Sequence, residues 1–226
     1  MIALHGAAKT YRLPGGRPLT ALQPTDLSVE RGEFVVITGR SGSGKTTLLN
    51  IAAGLTRPSS GRVEFGDVDL WSLSDVEQSH LRNRSMGFVF QFPSLLPALD
   101  VLRNVTLPLA FAQEDASDGR ARAQELLELV GLGDRNGAHP RELSAGQQQR
   151  VVIARALIGR PELLLADEPS SDLDEDTENE IMTLFSRIHK ETGVTILMVT
   201  HARQLVAYGS RHVEMKSGAL KEDEGG

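Results

Sequence analysis

Phe34-Val-Val-Ile-Thr38, followed at once by Gly39-Arg40-Ser41-Gly42-Ser43-Gly44-Lys45-Thr46-Thr47, decides the fold. The first five residues form a continuous run suited to a strand buried on both faces, and Thr46 to Ala53 has the character of a helix. Strand, glycine-rich loop and helix make the βα unit of a parallel sheet. The loop matches G-x-x-x-x-G-K-[ST] and sits between a strand and a helix, the context that confirms the motif. Glycines let successive backbone N–H groups turn inward around phosphate oxygens, and the following helix directs its positive end at the same anion. Lys45 supplies a mobile charge for the β- and γ-phosphates. Thr46 is the expected Mg²⁺ ligand, because Mg²⁺ prefers oxygen donors beside waters and phosphates, and Thr47 is expected at the α-phosphate. The alternative, a glycine-rich turn without a ligand, leaves Lys45 and Thr46 in register without a reason.

Leu163-Leu-Leu-Ala166 is a second buried run, and it ends in Asp167-Glu168. Two carboxylates at the end of a buried strand are costly unless a cation or a reaction requires them. Asp167 fits the Walker B aspartate, holding Mg²⁺ directly or one layer out. Glu168 is positioned to accept a proton from an attacking water. Val194-Thr-Ile-Leu-Met-Val199 is a third run, and His201 just beyond it could reach the γ-phosphate and hold that water. A lone histidine after a strand is usually a surface residue; Glu168 is what gives His201 its company. His5, His80, His139, His189 and His212 have no such company and read as solvated or packing residues.

Elsewhere the pattern divides. Ile2 to Leu13 and Leu22 to Val29, joined by Pro14-Gly-Gly-Arg-Pro18, read as antiparallel strands around an exposed turn. Between Asp100 and Arg160 the pattern is helical: Gly119 to Val130 places Ala123, Leu126, Leu127 and Val130 on one face, and Ser144 to Ile158 is similarly continuous. Arg211 to Met215, a turn at Lys216-Ser-Gly218 and Ala219 to Lys221 make a closing hairpin, and Glu222 to Gly226 is expected to fray.

The chain has 226 residues, 40% of them hydrophobic, enough for one large domain with a substantial core. A formal net charge of -6 argues against nucleic acid as a main ligand. With no cysteine, disulfides and thiolate metal sites are impossible. No run approaches the roughly 18 apolar residues of a spanning helix, and Met1-Ile-Ala-Leu-His5 lacks the form of a signal peptide, so a cytoplasmic chain is expected, any membrane span coming from another subunit.

Leu143-Ser144-Ala145-Gly146-Gln147 carries a further signal. Ser144 is a good helix N-cap with Gln147 at capping-box spacing, and a helix start is also an anion site, although the chain already has one at its phosphate loop. Together with the two motifs above, this segment resembles the signature of ATP-binding-cassette (ABC) nucleotide-binding subunits, and the resemblance covers essentially the whole chain. It implies a single α/β P-loop NTPase domain over 1–226. Residues 1–98 and 161–226 would form the parallel-sheet core with an antiparallel β subdomain, and 99–160 an inserted helical subdomain. It further implies ATP and Mg²⁺ as ligands and a head-to-tail homodimer, each γ-phosphate lying between one chain's phosphate loop and the Ser144-Ala145-Gly146-Gln147 segment of the other. In the same register Tyr11 stands where an aromatic stacks on adenine, and Gln91, after the strand Met86 to Phe90, where the metal-contacting glutamine loop belongs. Ser171-Asp-Leu-Asp174 resembles the D-loop that crosses the dimer interface. Taken alone, Tyr11 reads as a half-buried strand aromatic and Gln91 as a polar loop residue.

Within the family, Leu81 to Pro97 resembles the lipoprotein-releasing and macrolide-exporter branch. That resemblance implies a subunit bound to the cytoplasmic face of the inner membrane, powering export or extrusion by a transmembrane permease. The permease would contact the region after Gln91, where Phe92, Leu95 and Leu96 are candidate apolar contacts. Division-associated members of the branch offer an alternative, a regulatory ATPase gating a cell-envelope complex without transport. A repair-type ATPase would carry a long coiled-coil insertion and a translation type two cassettes; neither is present. There are two departures from the pattern: Ala145 replaces the usual glycine, a cost if that position needs φ > 0, and Ser170-Ser171-Asp172 replaces Thr-Gly-Asn.

Overall fold

The computed structural model describes the backbone of residues 1–112 and 116–222, which cluster into two compact units, 1–79 with the segment from 195 onward, and 80–194. Elements of the first unit are β1 (Ile2–Arg12), β2 (Pro18–Val29), β3 (Phe34–Thr38), α1 (Lys45–Ala52), β4 (Ser60–Phe65) and β5 (Val68–Asp69). Helix α2 (Asp75–Ser85) runs across the boundary. The second unit holds β6 (Met86–Val89), α3 (Val101–Ala112), α4 (Ala116–Leu129), α5 (Ala145–Leu157), β7 (Leu163–Asp167) and α6 (Glu175–Thr192). The chain then returns to the first unit as β8 (Thr195–Thr200), β9 (Arg211–Lys216) and β10 (Ala219–Glu222).

In the first unit, β1 pairs antiparallel with β2 on one edge, from Ile2↔Val29 to Arg12↔Pro18, and with β4 on the other. The hairpin runs four residues further than Leu22 because Pro18, Leu19 and Thr20 complete the ladder while staying exposed. Strand β3 lies between two parallel neighbours, with Thr38 opposite Thr200 of β8 and Glu214 of β9. All five of its residues are buried, as expected for a strand covered on both faces. The closing hairpin is present, β9 pairing antiparallel with β10. Glu222 extends that hairpin, and the expected frayed end at 223–226 lies outside the described residues.

In the second unit β6 and β7 are parallel, from Met86↔Leu163 to Val89↔Ala166. Helix α4 begins at Ala116, ahead of the expected Gly119, and buries Ala123, Leu126 and Leu127. Helix α6 has no counterpart among the segments read from the sequence, yet its signals are ordinary. The Asp174 carboxylate accepts from the Thr177 N–H at 3.0 Å and caps the start, Gly193 at φ 68 ends it, and Ile181, Met182, Leu184, Phe185 and Ile188 are buried. Among the described residues no helix is long and apolar enough to cross a membrane.

Phe185 is fully buried and Phe92 is 66% exposed. Phe185→Ala should therefore cost about 3–5 kcal/mol of stability in urea denaturation. Phe92→Ala should stay within about 0.5 kcal/mol.

Candidate functional site

In the first unit the phosphate loop leaves the carboxyl end of β3 and is shaped by close backbone contacts. Gly39 donates its N–H to the Thr200 carbonyl at 3.2 Å, so His201, exposed and one residue beyond, lies beside the start of the loop. A Cβ on Gly39 would stand 2.4 Å from the Met215 carbonyl oxygen, and one on Gly44 2.2 Å from that of Ala21. Gly42 and Gly44 also have φ values of 74° and 108°, which L side chains rarely adopt. Ser43 N–H donates to the Arg40 carbonyl and Gly218 N–H to that of Ser43, closing the loop on itself and anchoring it to the β9–β10 turn.

Lys45 is 5% exposed, and its ammonium donates to the carbonyls of Gly39 at 2.8 Å and Arg40 at 3.3 Å, so it lies along the inner side of the loop. Arg40, Ser41, Gly42 and Thr46 are exposed and Thr47 is half-buried. The start of α1 has no side-chain cap, Gly44 standing there in a left-handed conformation, so its first-turn donors are not claimed by an N-cap hydroxyl or carboxylate. Ser43 Oγ is buried with no hydrogen-bond partner among the described residues. A glycine-rich cradle, an uncapped helix start and a buried ammonium together fit a polyphosphate, and the Thr46 hydroxyl at the rim fits a hard, oxygen-seeking cation. Tyr11 is 38% exposed, with the Lys9 ammonium 5.2 Å from its ring centroid. The residue is thus partly open to solvent, which a stacking platform and a half-buried strand aromatic both allow.

In the second unit the β6–β7 register brings Gln91, Asp167 and Glu168 to the same ends of adjacent strands. Gln91 is exposed, and its Nε2 lies 3.5 Å from Asp172 Oδ2, which leaves its amide oxygen for another partner. Asp167 and Glu168 are both half-buried. Glu168 adopts φ 48, a left-handed conformation worth about 1–3 kcal/mol of strain in a non-glycine residue, and such strain collects at functional positions. The N–H and the hydroxyl of Ser171 both donate to the Glu168 carbonyl, at 3.3 and 3.2 Å.

The capping box at the start of α5 is formed: Ser144 Oγ accepts from the Gln147 N–H at 3.3 Å, and the Gln147 side chain accepts from the Ser144 N–H at 3.0 Å. Because Ser144 Oγ accepts within the box, its own proton is left for an outside acceptor. Ala145 is exposed, is the first residue of α5, and is not among the positive-φ residues, so the cost foreseen for a methyl there does not arise. Gly146 is the position that excludes a side chain, since a Cβ there would lie 2.5 Å from the Thr177 methyl of α6.

The sequence reading did not identify several residues that shape this unit. Gln149 Nε2 lies 3.4 Å from the Phe90 carbonyl, and Arg155 Nη1 donates to that of Ser94 at 3.0 Å, so α5 holds both ends of the segment around Gln91. Burial pulls the Arg155 guanidinium below its ordinary pKa. Asn104, fully buried, accepts from the Leu96 N–H at 2.8 Å and donates to the carbonyls of Leu96, Leu99 and Asp100, fixing the following loop. Phe92 and Leu96 are exposed there, whereas Leu95 is half-buried. These tethers end on backbone carbonyls, which leave no residue-type signal in a sequence.

The sequence profile of the ABC transporter family matches residues 22–171. The lipoprotein-releasing system ATP-binding protein LolD of Bordetella pertussis is 46% identical over 209 residues, covering 92% of this chain and 90% of its own. The macrolide export ATP-binding/permease protein MacB of Syntrophobacter fumaroxidans is 44% identical over 227 residues and covers all of this chain, which spans only 32% of that longer protein. Among solved structures, the dimeric post-hydrolysis state of the ATP-binding cassette MJ0796 bound to ADP and Pi matches with a TM-score of 0.89 at 38% identity, covering 100% of both chains.

The contact at Gly146 gives a direct test. Gly146→Ala should lower the thermal midpoint, and adding Thr177→Ser, which removes the obstructing methyl but keeps the hydroxyl that bonds Asp174 at 2.7 Å, should restore most of the loss.

Proposed function

The chain belongs to the ABC transporter family as an ATP-hydrolysing cassette, and from that premise we propose that it powers export or extrusion from the inner membrane by a transmembrane permease. The observation that carries this reading is the pair of anion-accepting helix starts, α1 behind a glycine cradle and α5 with a donor serine at its cap. One ATP needs a single phosphate cradle. A second such site on the same chain is explained if it closes over the ATP of another copy, giving a homodimer with two shared nucleotides.

In this mechanism ATP lies with its phosphates on residues Gly39 to Thr47 and its adenine on Tyr11. Lys45 leaves the loop carbonyls for the β- and γ-phosphate oxygens, replacing neutral acceptors by charged ones, which are stronger partners. Thr46, Gln91 and Asp167 would hold Mg²⁺, which when bound neutralises phosphate charge and fixes the leaving group. Glu168 accepts the proton of the water that attacks the γ-phosphorus, and His201 holds the γ-phosphate oxygen and orients that water. Cleavage of the γ-phosphoryl bond yields ADP and phosphate. Ser144 and Gly146 of the second copy, with Ala145 and Gln147 shaping the same helix start, lose their shared anion when phosphate departs, and the dimer opens.

Residues 99–160 serve in this reading as the signature subdomain of one ATPase domain. The exposed Phe92 and Leu96 beyond Gln91 meet the permease, and α5 senses that contact through Gln149 and Arg155. The chain then sits peripherally on the cytoplasmic face of the membrane. Its similarity to LolD and MacB supports that assembly.

Three variants separate the roles in a steady-state ATPase assay combined with equilibrium binding of a fluorescent ATP analogue. Glu168→Gln should lose about 10²–10⁴-fold in turnover while still binding ATP. Lys45→Ala should weaken binding about 10- to 100-fold, as expected for the loss of charge-assisted hydrogen bonds. His201→Ala should lower kcat more than it raises KM, and an unchanged kcat would remove it from the mechanism. Capture of the Glu168→Gln protein from solubilised membranes with ATP and Mg²⁺ should retain a polytopic protein. If that protein supports no ATP-dependent movement of cargo in proteoliposomes, the regulatory reading replaces transport.

A further inference from the structure

The turn that follows β7 is tied down at a point the reaction groups do not reach. Ser170 is only 2% exposed, and its Oγ donates to Glu178 Oε2 at 3.1 Å. Glu178 is itself 9% exposed, an unusual place for a carboxylate, which is costly to bury unless hydrogen-bonded. It lies in the first turn of α6, where the positive end of the helix favours a negative side chain. The Ser170–Glu178 bond therefore joins the turn after the strand to the start of a long helix, away from solvent.

What the bond restrains is next to it in sequence. Glu168 has φ 48, and its carbonyl accepts from both the N–H and the hydroxyl of Ser171. Leu173 N–H donates to the Ser170 carbonyl at 3.1 Å, and Asp174 caps α6 through Thr177. Glu168, Ser170 and Asp174 are thus each held by a short tether on the way to the first turn of α6, and the Ser170 side chain is the one anchored in the interior. A left-handed glutamate persists only when its surroundings over-determine it. Without the anchor the turn can relax toward an ordinary backbone conformation, swinging the Cα–Cβ bond and with it the carboxylate. The same turn of α6 carries Thr177, the residue packed against Gly146, so the anchor also links Glu168 to the start of α5.

We propose that Ser170 and Glu178 are positioning residues for ATP hydrolysis, their buried hydrogen bond holding the strained turn that aims the Glu168 carboxylate. The proposal rests on Glu168 being the general base. A base has to lie within about 2.6–3.2 Å of the proton it takes. A misplacement of ~1 Å can cost on the order of 10²-fold in rate. ATP binding does not depend on that aim, so the effect belongs in kcat.

The test uses four substitutions in the full chain. Ser170→Ala removes the donor and Glu178→Leu the acceptor, whereas Ser170→Thr and Glu178→Gln keep the bond. In the first two, kcat should fall about ten- to a hundred-fold while KM for ATP stays within about two-fold of the parent. The two conservative variants should retain most of the parent kcat. In a Glu168→Gln background, Ser170→Ala should add no further loss, because it acts through the missing carboxylate. Thermal melts identify which variants are folded, and either folded disruptive variant suffices. A parent-like kcat in a folded Ser170→Ala or Glu178→Leu protein overturns the proposal, as does a kcat loss that Ser170→Thr shares, or a loss split between kcat and KM. If Glu168→Gln alone leaves turnover intact, the general-base assignment fails and the proposal falls with it. If Glu168→Gln abolishes turnover while Ser170→Ala spares it, the positioning role alone fails.

Discussion

Several negative charges on one polyphosphate have to be met by backbone donors at close range, and that requirement shapes the phosphate loop. The loop also has to pack tightly on the strands behind it: a Cβ on Gly39 or Gly44 would stand 2.4 Å and 2.2 Å from neighbouring carbonyl oxygens, so neither position has room for a side chain. β3, buried over its whole length between β8 and β9, fixes where the loop begins, and the uncapped start of α1 fixes where its donors point. The loop's placement is thus set by the sheet behind it. His201 inherits its place from the same sheet, through the bond between the Gly39 N–H and the Thr200 carbonyl.

The second unit is organised by α5. Its start is capped by Ser144 and Gln147, its first turn is pressed against α6 at Gly146, and further along Gln149 and Arg155 hold the backbone on either side of Phe92. A helix gripped at both ends moves as a body. In the proposed assembly, a push on the exposed apolar residues around Phe92 and a change in an anion at Ser144 would act on the same element. Within that proposal, α5 is the physical route between the membrane partner and the nucleotide.

Much of this was legible in the sequence, for identifiable reasons. β3, β7 and β8 are continuous apolar runs because both faces are covered, and α5 announces itself by a capping box. The extension of β2 to Pro18 was not legible, since Pro18, Leu19 and Thr20 are exposed and carry no burial pattern. Nor was the strain at Glu168, because glutamate has no left-handed preference and tertiary contacts impose it. The conditional cost at Ala145 does not arise, because position 145 is ordinary helix; the steric demand in this segment falls on Gly146, where it depends on a methyl 31 positions away at Thr177. Pairings of that kind need the fold to be seen.

In the proposed dimer, ATP is shared between the phosphate loop of one copy and the Ser144 helix start of another. Sedimentation velocity of the Glu168→Gln protein, with and without ATP and Mg²⁺, tests it most directly. A shared ATP requires a monomer without nucleotide, a dimer with ATP, and loss of that dimer when Ser144→Arg places a bulky cation at the start of α5. A Glu168→Gln protein that binds ATP and remains monomeric, or a dimer indifferent to Ser144→Arg, would contradict it.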